Sequence, residues 1–96
     1  MYLVRRVCRT APGKAGDVAV VLDKICAAYE KNGWSKATIY KGMLGGDTDV
    51  VYCEWMQDAI KPATADEIPA SVYTDDAEMR PHLLSYDLEV YEAFDR

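Results

Sequence analysis

No apolar run in this 96-residue chain approaches the ~20 residues that a membrane helix needs. No basic run appears either, and the formal net charge is -5. This argues against nucleic acid as a partner and against a general phosphate-binding surface. His82 is the single histidine, with no second His or Cys at ligand spacing, so a transition-metal site is not expected. The cysteines, Cys8, Cys26 and Cys53, are odd in number, far apart and without a Cys-x-x-Cys pair. They read as buried, reduced thiols acting as small hydrophobes. A reactive Cys8 would need a neighbouring helix N-terminus or histidine, and its sequence surroundings supply neither. The acidic pairs Asp66-Glu67 and Asp75-Asp76 lack the alternating ligand spacing of a calcium loop. Repeats, low-complexity tracts and linkers are missing, so one domain over residues 1–96 is expected. The chain opens directly on strand-like residues with no apolar signal core, and a cytoplasmic protein is the expectation.

What is present centres on a hairpin. Ser35 to Leu44 and Asp49 to Met56 are rich in β-branched and aromatic residues and flank Gly45-Gly46-Asp47-Thr48. A two-residue turn at Gly46-Asp47, or a four-residue loop from Gly45 to Thr48, pairs Leu44 with Asp49. Period-2 alternation then puts Thr38, Tyr40, Leu44, Val51, Cys53 and Trp55 on one face. Ala37, Ile39, Lys41, Met43, Val50, Tyr52, Glu54 and Met56 fall on the other, with Lys41, Tyr52 and Glu54 grouped in its middle. Neither face looks wet. Helices of the same chain can cover one of them, so the other calls for a partner.

The remaining segments supply the cover. Tyr2 to Arg9 reads as a strand that ends at Ala11-Pro12-Gly13, with the inward member of Arg5 and Arg6 left open. Lys14 to Asn32 is a helix whose Val18, Val21, Leu22, Ile25 and Tyr29 form one stripe before the Asn32-Gly33 stop. Pro62 and Pro69 rule out one long helix between Gln57 and Ala70, leaving room for a short helical piece around Ala65–Ile68. A second helix is expected from Thr74, with Asp75 and Asp76 in its first turn, ending or kinking at Pro81. Leu84 to Phe94 is the last strand, and its acidic residues can meet the arginines of the first. The order β-α-β-β-α-β is the ferredoxin-like α+β arrangement: a four-stranded antiparallel sheet with both helices on one face. Two copies packed sheet against sheet would hide the remaining apolar face, giving a homodimer.

The chain resembles the dimeric α/β-barrel superfamily, and within it the NIPSNAP-like and antibiotic-biosynthesis-monooxygenase-like groups. The resemblance is carried by Val4-Arg5-Arg6-Val7-Cys8 leading into Ala11-Pro12-Gly13-Lys14 and by the stripe helix ending at Gly33. The turn Gly45-Gly46-Asp47-Thr48-Asp49-Val50-Val51 leading to Glu54-Trp55 completes it, and the match fades beyond Met56. It implies a homodimeric α/β barrel with a pocket between sheet and helices or at the dimer interface. Members include cofactor-independent oxygenases, isomerases and haem-handling enzymes. Haem-degrading members use an Asn on the first strand with a Trp and a His. Tyr2 to Arg9 contains no Asn, which argues against that activity here.

Two classes of function follow. One is a small enzyme without a cofactor, an oxygenase or isomerase acting on an apolar or aromatic compound. In it Tyr52 and Lys41 orient the ligand, Glu54 takes a proton and His82 is the other candidate base. Arg5 or Arg6 with Asp87 or Glu89 would be an anion anchor or, more simply, an ion pair. The alternative is a non-catalytic binding or assembly module in which Lys41 and Glu54 form a cross-strand pair and the sheet face is only dimer core.

Overall fold

Ala11, Pro12 and Gly13 (φ +77°) turn the chain out of its first strand, and an apolar stripe then selects helix. The computed structural model describes residues 1–61 and 63–96. In it β1 spans Tyr2–Thr10, α1 Ala15–Lys31, β2 Thr38–Lys41, β3 Val50–Gln57, α2 Ala70–Met79 and β4 Leu83–Glu92. Single 3-10 turns at Ala65–Glu67 and Arg80–His82 flank α2. The strands form one sheet in the order β2-β3-β1-β4, every neighbouring pair antiparallel. This is the expected ferredoxin-like arrangement; within one chain the sheet is open and not closed into a barrel.

In α1 the stripe behaves as its spacing predicts: Val18, Val21, Leu22 and Ile25 are buried, and Tyr29 is half-buried. Gly33 (φ +88°) stops the helix, its N–H donating to Glu30 O. Trp34 N–H donates to Tyr29 O, and the two rings meet edge to face at 5.6 Å. Val18 and Leu22 join Val72 and Met79 of α2 and Cys8, Val51 and Cys53 of the sheet in one buried cluster. All three cysteines are free and buried, as composition suggested.

The hairpin departs from expectation. β2 is four residues long, and Gly42 to Asp49 form the connection, with Gly42 N–H donating to Val50 O at 2.9 Å. A Cβ at Gly42 would collide with the Asp47 carbonyl, so only glycine fits there. Asp47 accepts the Asp49 N–H at 2.8 Å, and Leu44 is exposed rather than paired with Asp49. A loop of this length does not dictate register. Register follows instead from burying Ile39 and Ala37 against the core. Thr38 therefore pairs with Glu54, Ile39 with Cys53, Tyr40 with Tyr52 and Lys41 with Val51. The sorting of β3 was right and that of β2 is shifted by one residue. Lys41 lies on the face opposite Tyr52 and Glu54, so the expected trio is not assembled.

The second helix also begins earlier than expected. Pro69 (φ -58°) precedes its first turn, and Thr74 stands in its interior. Burial of Val72 and Met79 outweighs the capping signal at Thr74-Asp75-Asp76. The short piece near Ala65 is present, held by Thr64 Oγ1 against Glu67 and Asp66. The break expected at Pro62 lies outside the described residues.

Candidate functional site

Because side chains alternate across a strand, adjacent arginines Arg5 and Arg6 go to opposite faces. Each face makes a distinct site. On the helix side, α2 is short and packs chiefly on α1, so a hollow of about 420 Å³ is left between the sheet and the segment after β3. Leu22, Ile25 and Tyr29 of α1 form one wall. Val4, Arg6, Cys53 and Trp55 form the sheet floor, with Leu88 and Val90 towards the β4 edge. Trp34, Ile60 and Ile68 also line it. Both tryptophans of the chain thus line one apolar cavity. Size and lining are those of a small-molecule pocket.

Polar groups in this cavity are few. Trp55 donates its indole N–H to Gln57 Oε1 at 2.6 Å, which fixes the ring. Cys26, hydrogen-bonded to Cys53 and buried, is pushed above the ordinary thiol range. Burial likewise raises the Tyr29 phenol. Beside the cavity, burial pushes Cys8 up to about 11 and Tyr86 up to about 12. These groups are therefore protonated donors at neutral pH. Arg6 places its guanidinium 4.5 Å from the centre of the Tyr86 ring, with that of Arg80 at 4.8 Å from the same ring. Among the described residues no carboxylate or imidazole lines the cavity. Its side chains can enclose an apolar molecule and donate hydrogen bonds to it.

The other face is different. Arg5 Nε donates to Glu54 Oε1 at 2.7 Å, and Arg5 stands 3.7 Å from Glu89. Its guanidinium also lies 5.0 Å from the Tyr52 ring centre and 5.2 Å from that of Tyr91. The hydrogen bond to Glu54 raises the Arg5 pKa, and the Glu89 bond that Tyr91 donates to at 2.8 Å raises the phenol. Asp87 occupies the same face, in register with Val7. Around these charges Leu3, Val50 and Met56 with Tyr40 form apolar surface, Met56 being 41 % exposed and Tyr40 45 %.

The sequence-predicted site residues are therefore divided. Tyr52, Glu54 and Asp87 share the open face, where the acidic partners of the first strand's arginine were expected. Arg6 belongs to the cavity, and Lys41 is exposed on the short edge strand. His82 sits in the turn before β4, in a separate shallow depression with Asp17, Val21 and Glu78. Its own carbonyl accepts the Ala11 N–H at 2.9 Å. Sequence reasoning missed Trp34, Trp55 and Tyr29 as cavity residues, placing Tyr29 in the helix stripe and Trp55 on a sheet face without assigning either to a pocket. The available signal was Trp55 on the Val51–Cys53 face together with a Trp directly after the helix stop.

No protein-family model and no curated protein sequence matches the chain. Solved structures do. A NIPSNAP domain protein from Burkholderia xenovorans superposes with a TM-score of 0.73 at 10% identity, over 98% of this chain and 95% of that one. A putative antibiotic biosynthesis monooxygenase from Chloroflexus aurantiacus gives 0.64 at 13% identity, over 99% and 94%. SnoaB, a cofactor-independent oxygenase from Streptomyces nogalater, gives 0.61 at 11% identity, over 99% and 95% (its N63A mutant). The chain has the ferredoxin-like fold of NIPSNAP and antibiotic-biosynthesis-monooxygenase-like proteins. Among the described residues no helix is long and apolar enough to cross a membrane, and no group of three His, Cys, Asp or Glu is placed to hold a metal ion.

Proposed function

We propose that this chain is a small-molecule-binding protein that takes an apolar, aromatic compound into the hollow between α1 and the sheet. The observation that carries the reading is the cavity itself, about 420 Å³, walled by Leu22, Ile25 and both tryptophans. Similarity to a cofactor-independent oxygenase is consistent with turnover of such a ligand, but a shared fold does not assign a reaction. The finer proposal is an oxygenase or isomerase that works without a cofactor. The cavity's protonated donors would orient the substrate. The chain also pairs with a second copy through the open face, where Leu3, Val50, Met56 and Tyr40 lack cover from the chain's own helices. Tyr52, Glu54 and Asp87 then belong to that shared face and the substrate to the other.

Tryptophan emission tests the reading directly, since Trp34 and Trp55 both line the hollow. A panel of neutral bicyclic aromatics should quench or shift it saturably, and Leu22→Phe, which fills space without adding an indole, should weaken the response while the far-UV spectrum stays native. A flat response across the panel, with a dimer still present by sedimentation, would favour the non-catalytic assembly module instead.

A further inference from the structure

Arg6 is the feature of the cavity that an apolar ligand alone does not explain. Among the described residues Arg5, Arg9 and Arg80 each face a carboxylate: Glu54, Asp47 and Asp76 respectively. Arg6 is more enclosed than Arg9 or Arg80 and makes no such pair. The nearby carboxylate of Asp76 is engaged by Arg80 at 3.0 Å. Arg6 instead rests on the Tyr86 ring and forms part of the cavity floor, between Cys53 and Leu88 in register. A half-enclosed guanidinium without a counterion keeps its full demand for one, and apolar walls strengthen any pair formed there.

We infer that the ligand of this cavity is an apolar monocarboxylate whose carboxylate docks on Arg6 while its hydrocarbon or aromatic body lies against Trp34, Trp55 and Ile25. The inference rests on the small-molecule reading above and names the ligand's chemical class. A planar guanidinium fork matches a carboxylate in two parallel hydrogen bonds. Lys61, the other cation of the lining, is exposed, so Arg6 is the enclosed cation of the hollow and suits a single negative charge. A phosphate dianion would need more donors than this floor offers and would meet a chain of net charge -5. The Tyr29 phenol, in the adjoining wall, is a second donor for the same group.

The experiment compares 1-naphthaleneacetate with its neutral amide, 1-naphthaleneacetamide, on the full chain at neutral pH, read by tryptophan emission and by calorimetry. The acid should bind at least about tenfold more tightly than the amide. Arg6→Met should erase that preference while leaving amide affinity within about twofold, and Arg6→Lys should keep part of it. Lys61→Met, which removes the exposed cation of the lining, should leave the preference intact. Equal binding of acid and amide to the wild-type chain overturns the inference and leaves the cavity reading standing. So does a preference that survives Arg6→Met or disappears with Lys61→Met. Binding of neither compound overturns both readings. Should Arg6→Met fail to fold, the wild-type ratio with the Arg6→Lys and Lys61→Met variants decides.

Discussion

The two faces of the sheet solve opposite halves of the same problem. On the helix side the core is buried, the apolar lining of the hollow stays partly open at Leu88 and Val90, and the charge is unpaired. Val18, Leu22, Val51 and Met79 are buried together, while among the described residues Arg6 pairs with no carboxylate. On the open side the charge is satisfied and the apolar groups are not. Arg5 holds Glu54 and Glu89, with Met56, Tyr40 and Tyr91 left in solvent. Arg5 and Arg6 differ by one position, so residue type decides nothing here; strand alternation does. The unmet need on each face indicates what it is suited to receive: an anion within the hollow, an apolar surface against the open side.

Two methionines sharpen the contrast most. Met79→Ala, at a fully buried site, should cost about 2–5 kcal/mol in urea unfolding. Met56→Ala makes the same change on the open face and should cost under about 1 kcal/mol in the isolated chain. If a second copy covers that face, the Met56 loss grows and becomes dependent on protein concentration. A small, concentration-independent value would remove the pairing proposal.

Alkali separates the faces next. Cys8 and Tyr86, raised by burial to about 11 and about 12, belong to the helix side. In the unfolded chain these groups ionise near about 8.5 and 10. Their folded values are higher, so the folded state holds its protons longer. Their contribution is complete below about pH 8.5 and is lost as pH rises towards 11 and beyond. The melting temperature should fall by several degrees over that window, and Cys8→Ala should flatten its first part. An unchanged profile in Cys8→Ala would show that its burial is not what sets the slope.

A smaller effect is expected at Arg5. Arg5→Met leaves Glu54 and Glu89 facing each other without their shared cation. With side chains 29 % and 19 % exposed, the Arg5–Glu54 pair should be worth about 1 kcal/mol while the face is open. Beneath a second copy, stranding those carboxylates should cost about 3–5 kcal/mol. Unfolding at two protein concentrations distinguishes the cases.

Much of this architecture was legible in the residues. The stripe of α1, the Gly33 stop and the alternation of β3 each follow from a local rule with one outcome. The order of elements then leaves few topologies. Two things were not legible. The start of α2 depends on burying Val72 and Met79, a tertiary gain that overrides the cap signal at Thr74. The cavity depends on how much of the sheet that short helix fails to cover. A side-chain pattern marks what is apolar, and it does not reveal where the packing leaves a hollow. Trp55 looks the same in a filled core and in a pocket wall.

The register of β2 gives the sharpest and smallest of these tests. A tight turn at Gly46-Asp47 would bring Lys41 onto the Glu54 face as a cross-strand ion pair. The Gly42–Asp49 connection puts Lys41 opposite Val51 instead, exposed on the helix-side face, while Glu54 is held by Arg5. A double-mutant cycle of Lys41→Ala with Glu54→Gln should therefore give a coupling energy within about 0.3 kcal/mol of zero. The same cycle with Arg5→Met and Glu54→Gln should give a measurable one. A coupling near 1 kcal/mol between Lys41 and Glu54 would mean that β2 pairs one residue out of this register. Tyr40, now on the open face beside Tyr52 with ring centres 5.6 Å apart, would then turn inward and Ile39 outward. The apolar area of the open face, on which the pairing of two copies depends, would change with it.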